Sequence, residues 1–230
     1  MIDAFPTPGG ESRPSYWYSL PHGYIQLDLH PELDHVEALA TWVLSLPEKA
    51  REKAERVLQF YAGFVTLLNS QQVQGCAIGL HPDGDDGILF SVLTVSSIAV
   101  PGVDPRLALA STVKTACERP EEDLQSVELP CGPGVLTELN RRTTAPGRPP
   151  TGSEGALEGT VWQGTLTVAG TGSSDIIMMQ LVTAAAHLSD DYRNVLLGAA
   201  STLTFTDPSL PAAEDTGRSS GTDTARSPFG

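Results

Sequence analysis

The sequence predicts an α+β domain, a twisted antiparallel sheet of about six to eight strands flanked by helices. Three observations predict it. Short apolar runs with a period of two recur along the chain. Turns rich in Gly, Pro and Asp join several of them in pairs. The stretch from Leu157 to Phe205 reads strand, turn, strand, capped helix, strand.

Taken in order, Met1 to Ser15 is rich in Pro, Gly and polar residues and is expected to be disordered. Tyr16-Trp17-Tyr18 follows abruptly. Either it docks on the core as the domain begins, or it is an exposed aromatic anchor for a partner; large aromatics usually bury their area. Leu20-Pro21-His22-Gly23 is a turn. Tyr24 to Leu29 alternates as a first strand, with Ile25, Leu27 and Leu29 inward. Pro31 and Glu32 suit the first turn of a helix. Leu33, Val36, Ala40, Val43 and Leu44 form its stripe. Pro47-Glu48 restarts the pattern, and Ala50, Ala54, Val57, Tyr61, Phe64 and Leu68 mark a long second helix. Its charged residues, from Lys49 to Arg56, read as a solvated face.

Val73 to Leu80 and Ile88 to Ser96 are strands joined by a turn from His81 to Gly87. Asp104-Pro105 opens a third helix that runs to about Cys117. Leu124 to Leu129 and Val135 to Arg142 are two more strands around Cys131-Gly132-Pro133-Gly134. Thr143 to Gly155 is a flexible loop. Trp162, Leu166 and Val168 then face inward, with Gln163, Thr165 and Thr167 on the other side. Ile176 to Val182 is apolar on both faces, which places it centrally in the sheet. Ser189 is a helix N-cap by residue type, and Asp190 and Asp191 suit the positive end of the helix dipole. Tyr192, Val195, Leu196 and Ala199 make the last helical stripe, and Leu203 to Phe205 a final strand. Residues 16–207 therefore make one domain, between an N-terminal segment 1–15 and a polar tail 208–230.

The chain has 230 residues, 40% of them hydrophobic, which is enough for a sizeable core. Its formal charge of −14 opposes nucleic acid and anionic membrane surfaces. The three cysteines, Cys76, Cys117 and Cys131, do not make a disulfide framework. The start has no signal-peptide pattern, and no apolar run approaches the ~18 residues of a membrane span. A reduced, cytoplasmic location is expected, with no membrane insertion.

Candidate chemistry is sparse. The Asp83–Gly87 run has the composition of a calcium loop but lacks the Gly and Glu spacing of one, so it reads as a turn. His30, Glu32 and His35 lie close in sequence without a third ligand pattern. Cys131, on a Pro/Gly turn, could be a thiolate nucleophile if His187 lay beside it. Gly170-Thr171-Gly172 lacks the rest of a phosphate loop. No cofactor or metal is expected. Arg141, Arg142 and Arg148 form the one basic spot on an acidic chain and could hold an acidic partner.

The run Val161-Trp162, then Ile176 to Leu181, then Ser189-Asp190-Asp191-Tyr192 and Leu203-Thr204-Phe205 resembles the end of the PsbP-like α+β sandwich. As a pattern of elements the resemblance covers Leu20 to Phe205. It implies a twisted antiparallel sheet flanked by helices, with a late helix leading into a last strand. The chain also resembles uncharacterised small proteins of GC-rich Gram-positive bacteria, some encoded near specialised secretion genes; the scarcity of Lys beside Arg fits such a genome. Many relatives in that fold are exported lipoproteins, whereas this sequence begins without a signal peptide or lipobox. The fold carries no catalytic residues to transfer.

The expected function is that of a non-enzymatic interaction or accessory protein of the bacterial cytoplasm, associated with secretion through that resemblance. It would bind another protein through Tyr16, Trp17, Tyr18, Arg141, Arg142 and Arg148. One alternative is a small-molecule pocket between the sheet and the first two helices. Another is a cysteine-dependent hydrolase acting through Cys131.

Overall fold

The computed structural model describes residues 16–83, 87–117, 123–144, 158–170 and 173–208. The segment 1–15, the tail from residue 209 and the loop bearing Arg148 lie outside the described residues.

Among the described residues, seven strands form one antiparallel sheet. They are β1 (Tyr24–Leu27), β2 (Gly75–Asp83), β3 (Gly87–Ala99), β4 (Asp123–Leu129), β5 (Gly132–Thr144), β6 (Glu158–Ala169) and β7 (Asp175–Thr183). Four helices accompany them: α1 (Leu33–Ser45), α2 (Glu48–Ser70), α3 (Pro105–Cys117) and α4 (Ser189–Ser201). The spatial order is β1-β2-β3-β7-β6-β5-β4. The doubly apolar strand β7 is the central one, as a strand that must be covered on both sides should be.

One face of the sheet is closed. Leu93 and Val95 of β3, Ile177, Met179 and Leu181 of β7, and Trp162 and Leu166 of β6 are all buried there. Their alternation places them on one side of the pleat, and α4 covers them with Tyr192, Leu196, Ala199 and Ala200. Burying Leu196 alone contributes about 1.5–3 kcal/mol. Tyr16 and Tyr18, at 4% and 2% exposure, complete the closed side, and Trp17 between them is buried at 6%. Tyr16 Oη donates to Gln74 Oε1 at 2.7 Å.

The second face carries helices only at its two sides. The end of α2 sits over β2 and β3, where Leu68 packs with Leu29, Cys76 and Val92. Tyr61 Oη donates to the Asp28 carbonyl at 2.5 Å, and Asn69 Nδ2 to the Leu29 carbonyl at 3.1 Å. At the other side α3 sets Leu109 against Val135 and Ala169. It begins where Pro105 fixes the first helical φ and Asp104 Oδ1 accepts from the Arg106 N–H at 2.9 Å.

Several details differ from the sequence reading. Ser189 does not cap α4: a 3₁₀ turn, Ala186–Leu188, leads into the helix, and Ser189 is its first residue with no side-chain cap bond. The final strand is a single bridge between Thr204 and Trp17. It stops there because the Thr206 N–H turns back to Thr204 Oγ1 at 3.1 Å, which takes a donor a longer ladder would use. Leu27 and Leu29 face inward against the cluster under α2, but Ile25 is exposed opposite Ile78, and Tyr24 is buried in the main core on the other face. Gly23 holds φ at +81° in the preceding turn, a conformation glycine adopts without strain.

Candidate functional site

The open middle of the second face is built from the register. One complete row crosses the sheet as Leu27, Cys76, Thr94, Gln180, Thr165, Thr137 and Leu124. Its ends are apolar and lie toward the α2 and α3 sides. Its middle is polar and uncharged. Gln180 Nε2 donates to Thr165 Oγ1 at 3.2 Å, and Gln163 Nε2 to the same oxygen at 3.4 Å. On each strand the period of two puts these residues opposite the buried core positions.

A cleft of about 340 Å³ opens between this row and the end of α2. Phe64 and Leu68 form the helical wall, and Val92, Thr94, Met178 and Gln180 part of the sheet wall. No acidic or basic side chain lines it. The cleft suits an uncharged group with an apolar body, since an unpaired ion would lose its hydration there without a counter-charge.

Beyond the cleft, α1 and α2 form a hairpin that stands largely free of the sheet. Only Val43 of α1 and Leu68 of α2 are buried. Leu33, Val36, Leu39, Trp42 and Leu44 are exposed on α1, with Trp42 at 57%. Val57, Phe60 and Leu67 are exposed on α2, with Phe60 at 68%. The Phe60 ring stacks on that of Phe64, with centroids 6.1 Å apart and planes 5° from parallel. The stripes read from the sequence are present as helices, but most of their apolar area meets no other part of the described chain. An apolar patch of this extent marks an interaction surface on a folded protein.

The structure separates the residues that the sequence grouped as partner-binding. Tyr16, Trp17 and Tyr18 dock on the core, so their rings have no area left for a partner. The anchor role is withdrawn for these three. Arg141 and Arg142 are exposed near the end of β5. As neighbours on one strand they point to opposite faces and do not converge on one anion. Arg148 lies outside the described residues.

Cys131 sits in the turn between β4 and β5, half-buried against the core. Burial pushes its thiol up, away from the thiolate form that a nucleophile needs. The depression beside it is lined by Pro130 and by Ser201 to Thr206, none of them a base, and His187 is exposed on the 3₁₀ turn. The hydrolase reading therefore has no support from this geometry. Cys76 and Cys131 are free thiols.

His30, Glu32 and His35 are solvent-facing around the start of α1. Among the described residues, no group of three His, Cys, Asp or Glu side chains is placed to hold a metal ion. The Asp83–Gly87 run closes the β2–β3 hairpin, and its residues 84–86 lie outside the described residues. Gly170 packs on the Phe205 ring, while Thr171 and Gly172 are also outside. Among the described residues, no helix is long and apolar enough to cross a membrane.

Two features escaped the sequence reading. The polar row cannot be assembled without strand order, because its members are scattered between Thr94 and Gln180. The exposed apolar positions of α2 are legible: Val57, Phe60 and Leu67 recur at i, i+3, i+10 with the half-buried Phe64 between them, on the flank of the positions that Phe64 and Leu68 turn toward the sheet.

No described protein family and no curated protein matches the sequence. Among solved structures, the chain is similar to LpqN of Mycobacterium tuberculosis, a protein involved in cell envelope biogenesis. The two are 14% identical, 88% of this chain and 90% of that one are covered, and the TM-score is 0.37. It is also similar to a protein of Bacteroides thetaiotaomicron VPI-5482. There the identity is 10%, with 58% of this chain and 46% of that one covered and a TM-score of 0.33.

Proposed function

We propose that this protein acts by binding, as a non-enzymatic interaction or accessory protein, and that the α1–α2 hairpin is its protein-binding surface. The observation that carries this reading is the solvent exposure of Trp42, Phe60 and their neighbours on two paired helices. Aromatic side chains of that size are the usual anchors of protein interfaces, because each removes a large area from water in one step. The partner is a protein, given the net charge of −14 that repels nucleic acid. A reducing cytoplasmic setting suits the free thiols Cys76 and Cys131. A secretion-associated role and PsbP-like kinship rest on the resemblance in element order alone. Arg141 and Arg142 offer a secondary contact for acidic groups at the far end of β5.

Affinity purification from the native host tests this. A stoichiometric protein retained by the wild type and lost with Phe60→Glu supports the hairpin. Retention of every partner by that variant contradicts it.

The cleft favours a second reading, a carrier or sensor of a small uncharged molecule. Native mass spectrometry of freshly purified protein decides it. A bound mass displaced by Met178→Trp supports the pocket, and a bare chain mass argues against it.

A further inference from the structure

We propose that the occupant of the hairpin is a second copy of this chain, joined by a two-fold axis with α2 antiparallel to α2. The inference rests on the binding role proposed for the hairpin and names its partner.

The apolar stripe of α2 has the spacing of a pairing seam, with Val57, Phe60 and Leu67 exposed and Phe64 half-buried against the Leu68 cluster. Val57, Phe60, Phe64 and Leu67 are separated by three, four and three residues. That is the heptad seam by which helices pair, and it reads the same in both directions. With the axis level with Ala62, Val57 of one copy meets Leu67 of the other, and Phe60 meets Phe64. An isologous contact needs such a self-complementary patch, which a surface for an unrelated partner does not. The Phe60–Phe64 stack, with centroids 6.1 Å apart, fixes two of the four side chains in one arrangement before contact.

The hairpin exposes eight large apolar side chains. At roughly 100 Å² each, the three on α2 supply about 300 Å² at the seam, and the five on α1, which flanks α2 in the hairpin, bring the total to about 800 Å² per copy, the amount each partner contributes to a standard-size interface.

Two copies of a chain with net charge −14 repel each other through most surfaces. The hairpin is the exception. Between Leu33 and Ser70 the four cations Lys49, Arg51, Lys53 and Arg56 stand against five acidic residues, a net of −1. The contact therefore forms where the repulsion is least.

Sedimentation equilibrium of the full chain at micromolar concentration tests the proposal. The wild type is expected at twice the chain mass of 24.3 kDa. Phe60→Glu is expected to weaken the dimer about 100-fold or more, because the symmetry buries two new carboxylates. Its fold is checked by circular dichroism, and Phe60 is exposed enough for the monomer to tolerate the change. Leu107→Glu, an equally exposed site on α3, is expected to stay dimeric. A monomeric wild type up to its solubility limit overturns the proposal, as does a Phe60→Glu variant that remains dimeric. If the wild type is monomeric while Phe60→Glu still loses a host protein, self-pairing falls and the binding role of the hairpin stands. If neither property responds, both fall.

Discussion

Trp17 and Thr204 exchange two backbone hydrogen bonds of 2.9 Å, tying the first described residues to the segment after α4. The Ser19 N–H adds a bond to Thr202 Oγ1 at 2.9 Å. Through these contacts residues 16 to 18 become part of the closed side of the sheet.

Truncating Tyr18 should therefore act as a core mutation. Tyr18→Ala is expected to cost about 3–5 kcal/mol, the scale of a buried aromatic deletion, and to lower the urea midpoint accordingly. An unchanged midpoint would mean that the segment does not dock in solution.

Glu138 bridges sheet and helix. Trp162 Nε1 donates to Glu138 Oε1 at 3.1 Å, and Arg193 Nε to Glu138 Oε2 at 2.7 Å. Trp162 is among the largest fully buried side chains, so its indole N–H has no ready substitute for this carboxylate. Glu138→Ala is expected to destabilise by about 1–3 kcal/mol, mostly from the unsatisfied indole. Arg193→Ala should cost less, since Arg193 is about one-third exposed and its pairing is screened. Denaturation of both variants under the same conditions checks the order.

Gly79 is pinned from three sides. A Cβ there would press on Ser91 Oγ, the Tyr24 ring and His81. Tyr24 Oη and Ser91 Oγ share a buried hydrogen bond of 2.7 Å at that point. Gly79→Ala is expected to cost about 1–3 kcal/mol by overpacking. Ser91→Ala in the same background should recover part of it, which a double-mutant cycle reads directly.

Alkali should unfold the protein in a defined window. Burial pushes the Cys76 thiol up to about 12 and raises Tyr16 and Tyr24 as well. Each native group holds its proton more tightly than the unfolded chain does. The associated stability is complete below the unfolded thiol value of about 8.5 and is lost as pH rises toward the folded values. Urea midpoints measured from about pH 8 to pH 11 should fall steadily, and a flat profile would contradict the burial of these groups. A thiol reagent at neutral pH should leave Cys76 unlabelled until denaturant is added.

Much of the fold is legible in the sequence because periodicity reports local geometry. The doubly apolar run Ile176 to Val182 identified the central strand, and Asp104-Pro105 marked the start of α3. Elsewhere the surrounding structure overrides the residue's own preference. Ser189 has the chemistry of a cap, but the turn at Ala186–Leu188 delivers the chain one residue too early. Ile25 alternates correctly and shares its face with Leu27, but the end of α2 covers Leu27 and leaves Ile25 64% exposed. The candidate site shows the same limit. A helical stripe reveals that α1 and α2 seek cover, but not what covers them. That depends on the strand order and on whatever meets the hairpin.

The most direct test of the binding role places a photo-crosslinking amino acid at position 60 in the native host, with position 107 as control. A protein adduct at 60 that is absent at 107, identified by mass spectrometry as this chain or another, is the expected result. Irradiation that yields no protein adduct at 60, under conditions where the protein is folded and abundant, would contradict it.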